Sequence, residues 1–110
     1  MRILFESTKF ESVCVDKRKA RKEYGTQGGD LLIRRIQELR AAPCLHDMRN
    51  MPGRCHELKG NLAGMLAIDL KHPRRLLFKP EPPTPQKEDG GLDWSHVEGV
   101  VICRVEDYHD

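Results

Sequence analysis

The chain has 110 residues, 38% of them apolar and 33% charged, with a formal net charge of +2. This size suits a single domain with its own core, spanning 1–110, and no apolar run is long enough for a secretion signal or a membrane segment. The four cysteines form no C-x-x-C pair and have no histidine at zinc-finger spacing, which argues against a structural zinc site or a disulfide framework. We therefore expect a cytoplasmic protein with reduced cysteines and with no metal or cofactor.

The net charge conceals an asymmetry along the chain. Residues 1–79 hold 17 lysines and arginines against 9 aspartates and glutamates, a balance of +8, whereas residues 80–110 hold 2 against 8, a balance of −6. The basic part could follow a polyanion such as RNA, although solvated helix faces are the commoner explanation of such runs. Charge alone leaves both interpretations open.

The first half is predicted to contain one strand and two helices. After a short strand at Arg2–Phe5, Thr8 and Glu11 form a capping box that begins a helix running to about Tyr24, where Gly25 ends it. Beyond a flexible Gly28-Gly29 pair, a second helix begins near Asp30. Its apolar residues recur at i, i+4 and i+7, and they are Leu32, Ile36 and Leu39.

The second half changes to the two-residue period of strands. Four short runs separated by turn residues are predicted to form antiparallel strands: Cys55–Lys59, Met65–Leu70, Arg75–Lys79 and Gly99–Tyr108. Their alternation predicts one packed sheet face, and a second face that is open and basic through Arg75 and Lys79. The Pro- and Gly-rich segment 80–93 is predicted to be a surface loop anchored at its far end by Trp94. The expected architecture is α+β, in the order β-α-α-β-β-β-β, with the helices on one face of the sheet.

Reactive side chains gather at the predicted strand ends. RNA cleavage by its own 2′-hydroxyl needs a base, an acid and cations at the phosphate, and His, Tyr, Asp, Lys and Arg can fill these roles without a metal. A tyrosine serves as the base only if nearby cations lower its pKa from about 10, for which Arg75 and Lys59 are candidates. Strict alternation would separate Tyr108 from both of its neighbours, so we expect the last strand to end or bend there.

Each of these residues also has a purely structural interpretation. His56 beside an apolar neighbour is typical of an ordinary strand histidine, and Lys59 before a glycine is typical of a solvated turn. Arg75 could form a cross-strand ion pair with Asp69 or Glu57. Tyr108 and the following histidine could simply cap the sheet.

Six segments, in this order and spacing, resemble the HigB-type killer proteins of the RelE superfamily, which are the toxins of bacterial type II toxin–antitoxin systems. The resemblance spans essentially the whole chain. Its segments are Arg2–Phe5, Leu39–Pro43, Cys55–Gly60, His72–Phe78, Asp93–Ser95 and Asp107–His109.

The resemblance implies a compact α+β fold that enters the ribosomal A site and cleaves the mRNA there without a metal, leaving a 2′,3′-cyclic phosphate. By position, it implies catalytic roles for His56, Arg75, Asp107, Tyr108 and His109. Substrate contacts are expected at Lys59, Arg74 and Lys79, and ribosome contacts at Lys17, Arg18, Arg21 and Lys22. The implied partners are the ribosome, mRNA and a HigA-like helix-turn-helix antitoxin, with operator DNA reached only through that antitoxin.

The chain departs from the family pattern at the turn after Gly60, where Asn61–Ala63 lack the usual basic residues, at Arg74, where an aromatic residue is common, and at Asp110, which follows the terminal histidine. The missing charge at 61–63 bears on ribosome affinity or codon preference, and it leaves the expected catalytic residues in place. A rival interpretation is a catalytically degenerate binding module that serves as a co-repressor or ribosome binder. A ribosome-independent ribonuclease is disfavoured by the modest net charge.

Overall fold

The computed structural model describes residues 1–108, which form a five-stranded sheet and two helices. The strands are β1 (Arg2–Phe5), β2 (His56–Glu57), β3 (Leu66–Asp69), β4 (Arg74–Pro80) and β5 (Gly99–Asp107), and the helices are α1 (Thr8–Cys14) and α2 (Lys17–Ala41). The sheet order is β1-β5-β4-β3-β2. Neighbouring strands are antiparallel except for β1, which runs parallel to β5. The predicted α+β class and element order are confirmed.

The first predicted helix is divided into two pieces. Ser7, rather than Thr8, caps α1, with its Oγ accepting from the Phe10 amide at 3.2 Å. The helix ends at Cys14, because Asp16 caps a new helix by accepting from the amides of Arg18 and Lys19 at 2.9 and 3.2 Å. A second favourable N-cap residue so soon after the first makes the break stable.

Helix α2 folds back on itself at Gly25. This residue has φ +81° and ψ 167°, a conformation outside the helical region that glycine adopts without steric cost. The predicted glycine turn is confirmed, but the Gly28-Gly29 pair is helical and buried instead of forming a flexible connection. A Cβ on Gly29 would lie 2.7 Å from the carbonyl oxygen of Ala20, so the two arms touch through their backbones.

We expect Gly29→Ala to destabilise the protein by about 1–3 kcal/mol, the usual penalty for overpacking. Elsewhere in a helix, the same change is stabilising by about 1 kcal/mol. The control is Gly28→Ala, whose new Cβ would be 3.3 Å from the Cβ of Tyr24 and clear of backbone. Urea unfolding of both variants checks the contact, and a neutral or stabilising Gly29→Ala would contradict it.

The core lies between α2 and one face of the sheet. It contains the three predicted helix residues Leu32, Ile36 and Leu39, together with inward side chains of β3, β4 and β5, such as Leu66, Ile68, Leu76, Phe78 and Ile102. The other sheet face was expected to be open and basic, which is wrong in two respects. Ala67 and Leu77 are fully buried there, and carboxylates stand among its cations.

Residues 81–93 form a loop that is held at its far end, and Pro80, expected in the loop, is the last residue of β4. Trp94 is 5% exposed, its Nε1 donates to Glu57 Oε2 at 2.9 Å, and the guanidinium of Arg49 lies 3.9 Å from its ring centroid. Within the loop, Gln86 and Leu92 form a β-bridge.

The four cysteines carry free thiols. Burial raises the pKa of Cys14 and Cys55 to about 12, so both remain protonated at neutral pH. Neither helix between residues 1 and 108 has an apolar stretch that could span a bilayer.

Candidate active site

The site is built on a row of charged side chains that crosses three strands. Asp69 of β3 stands opposite Arg75 of β4, which stands opposite Glu106 of β5. Strand alternation directs all three to the face away from the helices. Arg75 Nη2 lies 3.5 Å from Glu106 Oε1, while its buried Nε has no hydrogen-bond partner within residues 1–108. The ion pair anticipated with Asp69 or Glu57 is therefore replaced by one with Glu106.

Arg54 reaches the same row from the segment that precedes β2. Its Nε donates to Asp69 Oδ2 at 2.7 Å, and its Nη2 donates to Asp69 Oδ1 at 3.4 Å. The hydrogen bond to Asp69 is the main reason why the pKa of Arg54 is raised, and the neighbouring Tyr108 side chain adds a smaller contribution. Arg54 thus lies beside Asp69, at the end of the row that Arg75 and Glu106 continue.

Tyr108 completes this group. Strand β5 ends at Asp107, as expected, and the Tyr108 amide donates to the carbonyl oxygen of Pro73 at 2.9 Å. The ring centroid lies 5.2 Å from the guanidinium carbon of Arg75 and meets the His72 ring edge to face at 6.0 Å. We refer to these residues as the Tyr108 cluster, which consists of Arg54, Asp69, His72, Arg75, Glu106 and Tyr108.

His56 lies at the border of the Tyr108 cluster. Its place opposite Ala67 in β2 directs it to the same sheet face, and its Nδ1 is 2.5 Å from the carbonyl oxygen of Arg54. Because a carbonyl oxygen only accepts, Nδ1 donates a proton to it, and Nε2 is the ring nitrogen that remains for another partner. His56 is thereby oriented by the backbone of Arg54.

Other predicted site residues lie elsewhere. Asp107 is paired with Arg74 at 3.6 Å on the helix side of the sheet, where the Arg74 guanidinium is 5.3 Å from the Tyr24 ring. The expected convergence of Asp107 with Tyr108 is therefore not found. Lys79 forms a 3.3 Å ion pair with Glu6, four residues along β4 from the cluster.

Lys59 is exposed at the far end of β2, where it precedes a short 3-10 turn, and it has no ion pair within residues 1–108. His109 lies outside the described residues.

The basic surface at the start of α2 is smaller than its sequence indicates. Lys17, Arg18 and Lys22 are exposed and form no ion pair within the described part of the chain, but Arg21 donates to both carboxylate oxygens of Asp30 at 2.7 and 2.9 Å. This hydrogen bonding lowers the pKa of Asp30. We refer to Lys17, Arg18 and Lys22 as the basic surface.

The acidic end of the chain neutralises part of the basic end. Glu81 pairs with Arg2, and the β5 carboxylates pair with arginines of β4. Part of the acidic segment is therefore in direct contact with the basic segment. Across residues 1–108, no three His, Cys, Asp or Glu side chains are grouped closely enough to hold a metal ion.

Sequence reasoning missed Arg54, His72 and Glu106 as members of the site. A turn signal was available for the first of these, because Pro52-Gly53 precedes Arg54. Period-two alternation along β5 also directs Glu106 and Tyr108 to one face. For His72, no signal distinguished it from a surface residue.

No family model and no curated protein matches the chain. Solved structures do resemble it over its whole length. The YoeB/ParE toxin from Agrobacterium tumefaciens has a TM-score of 0.58 at 9% identity, covering 99% of this chain and 100% of that one. The YoeB dimer from Staphylococcus aureus has a TM-score of 0.57 at 16% identity, covering 100% and 98%. The YoeB-YefM complex from the same organism has a TM-score of 0.51 at 18% identity, with the same coverage. Such low identities establish similarity of fold, and the chain accordingly has the fold of YoeB/ParE toxins.

Proposed function

We propose that this chain is a HigB-type toxin of a type II toxin–antitoxin system and that it cleaves ribosome-bound mRNA in the cytoplasm without a metal. The observation that carries the proposal is Tyr108 lying against the guanidinium of Arg75 at a sheet surface, with Arg54 bound to the neighbouring Asp69 and His56 oriented by the Arg54 carbonyl. The fold of known toxins and the ordered sequence segments agree with it.

The proposed reaction forms a bond between the 2′-oxygen and phosphorus and breaks the bond between phosphorus and the 5′-oxygen. The 2′-hydroxyl proton passes to a base, and an acid supplies a proton to the leaving 5′-oxygen. Tyr108 is suited to one of these proton transfers and His56, through Nε2, to the other. Arg75 stabilises the charge that develops on the phosphate oxygens.

The proposed partner is a HigA-like helix-turn-helix antitoxin, which would connect the toxin to operator DNA. A solved structure of this fold is the heterotetrameric YoeB-YefM toxin-antitoxin complex from Staphylococcus aureus, so a protein of this fold does form an antitoxin complex. Expression of the chain alone should arrest bacterial growth, and co-expression of a neighbouring helix-turn-helix protein should restore it. Normal growth with abundant folded protein would contradict the toxin assignment.

A binding-only module is the second candidate, favoured by the ion pairs that neutralise Arg74, Arg75 and Lys79. Such a protein would bind its antitoxin or the ribosome, and RNA cleavage would be absent. Growth arrest without new mRNA ends would support it over the nuclease.

The basic surface provides a test of ribosome contact. Replacing Lys17, Arg18 and Lys22 with glutamine should weaken ribosome binding and reduce the slope of log K against log salt by roughly 2 to 3, since each lost phosphate contact releases fewer counterions. Arg21→Gln should change the slope less, because its guanidinium already bonds Asp30. An unchanged ribosome slope together with a weakened antitoxin complex would assign this surface to the antitoxin.

A further inference from the structure

Arg54 combines high exposure with a fixed orientation. Its side chain is 67% exposed, yet Asp69 holds it through Nε at 2.7 Å and Nη2 at 3.4 Å. Neither of these two bonds uses Nη1. A guanidinium held by a carboxylate along one edge can receive an anion at the other.

The backbone at Arg54 is also unusual. Within the described part of the chain it is the one non-glycine residue with positive φ, at +51°, a conformation disfavoured by its side chain. Gly53 before it has φ +105°, and a Cβ there would lie 2.7 Å from Ile68 Cγ1. The Gly53 carbonyl accepts from the Asp69 amide at 2.6 Å, which fixes the segment to the end of β3.

Backbone of this kind concentrates at functional sites, where the surrounding structure over-determines it. Here it places the Arg54 guanidinium on Asp69, which stands opposite Arg75, and its carbonyl oxygen against His56 Nδ1. One residue thereby orients the histidine through its backbone and reaches the row of Asp69 and Arg75 through its side chain. An ordinary surface arginine would need neither constraint.

We propose that Arg54, rather than Lys59, is the second cation of the active site and contacts the scissile phosphate together with Arg75. Asp69 is then a positioning residue that holds the Arg54 guanidinium with Nη1 toward the substrate. This inference rests on the proposed nuclease function and assigns the phosphate contact to a residue outside the recognised sequence segments.

The test compares single-turnover cleavage of mRNA on purified ribosomes by the wild type, Arg54→Ala and Lys59→Ala. Arg54→Ala should reduce the rate of the chemical step by about 10²–10³-fold, as expected for loss of a charge-stabilising donor. The toxin concentration that gives half of the maximal cleavage rate should change much less, by under about tenfold. Lys59→Ala should retain a rate within about tenfold of the wild type.

Arg2→Ala provides a matched control, because Arg2 is 68% exposed and pairs with Glu81 at 2.9 Å far from the cluster. It should cleave at the wild-type rate. Added guanidinium chloride, at a concentration that leaves Arg2→Ala unaffected, should partly restore Arg54→Ala, whereas a structural role would give no such rescue. Arg54→Gln replaces the alanine variant if circular dichroism shows that the latter is unfolded.

Two results overturn the inference in different ways. An Arg54→Ala rate within threefold of the wild type, with Tyr108→Phe inactive, removes Arg54 from the site and leaves the nuclease function intact. Absence of cleavage by the wild type, with folded protein bound to ribosomes, overturns the nuclease function and the role of Arg54 with it.

Discussion

The variant Tyr108→Phe is expected to cleave ribosome-bound mRNA about 10²–10⁴-fold more slowly than the wild type while remaining folded, because it removes one of the two proton-transfer groups. The aromatic ring is kept, so the contacts with His72 and Arg75 survive. Growth arrest on expression should be lost in parallel. Initial cleavage rates on purified ribosomes, with circular dichroism as the folding check, measure the effect.

Tyr24→Phe is the matched control, since Tyr24 and Tyr108 are the two tyrosines of the chain. Tyr24 lies on the helix side of the sheet below Arg74, where burial raises the pKa of its hydroxyl. This variant should retain the wild-type cleavage rate. Full activity of Tyr108→Phe would show that the tyrosine hydroxyl takes no part in the chemistry.

Phe78→Ala is expected to lower the free energy of unfolding by about 3–5 kcal/mol, a large share of the stability of a small domain. Phe78 is fully buried at the centre of the sheet, opposite Leu66 of β3 and Ile102 of β5. Loss of its ring leaves a cavity beneath α2. The backbone of β3, β4 and β5 cannot easily move to fill it. Urea unfolding followed by circular dichroism measures the loss.

Phe78→Leu keeps most of the buried volume and should cost less than about 1.5 kcal/mol. Both variants preserve the outward side chains of β4, so any loss of cleavage should follow the unfolded fraction. If Phe78→Ala lowers the free energy of unfolding by less than about 1 kcal/mol, the helix-facing side of the sheet is not a closely packed core.

The sequence was sufficient for features that depend on local pattern. Alternating apolar residues located β3 and β4, and Leu32, Ile36 and Leu39 identified the buried face of α2. The turn at Gly25 followed from glycine at the end of a helical pattern. In each case, the determining information lies within a few consecutive residues.

Features that depend on distant partners were not predictable. The composition of Gly28-Gly29 is typical of a flexible connection. In the structure, however, the backbone of Ala20 packs against Gly29 and leaves no room for a Cβ. The partner of Arg75 is set by the register between β4 and β5, which shifts at Leu77/Phe78, and Asp69 is taken by Arg54 from outside the sheet. Such pairings require the tertiary structure.

The proposed catalytic residues illustrate the same division. Alternation separates Asp107 from Tyr108, and the expectation that the end of β5 would bring them together is wrong, because Asp107 pairs with Arg74 on the helix side. The end of β5 allows the Tyr108 amide to bond Pro73, and the ring then lies on the side of Arg75. The role proposed for Arg54 could not be predicted from the sequence segments, because it depends on the packing of Gly53 against Ile68.

The most direct measurement of nuclease function is the mapping of new mRNA ends after purified wild-type chain is added to ribosomes stalled on a defined message. We expect cleavage within the A-site codon that leaves a 2′,3′-cyclic phosphate, that is absent for Arg75→Ala and that requires the ribosome. Intact message, with wild-type protein shown to be folded and ribosome-bound, would contradict the assignment of this chain as a ribosome-dependent endoribonuclease.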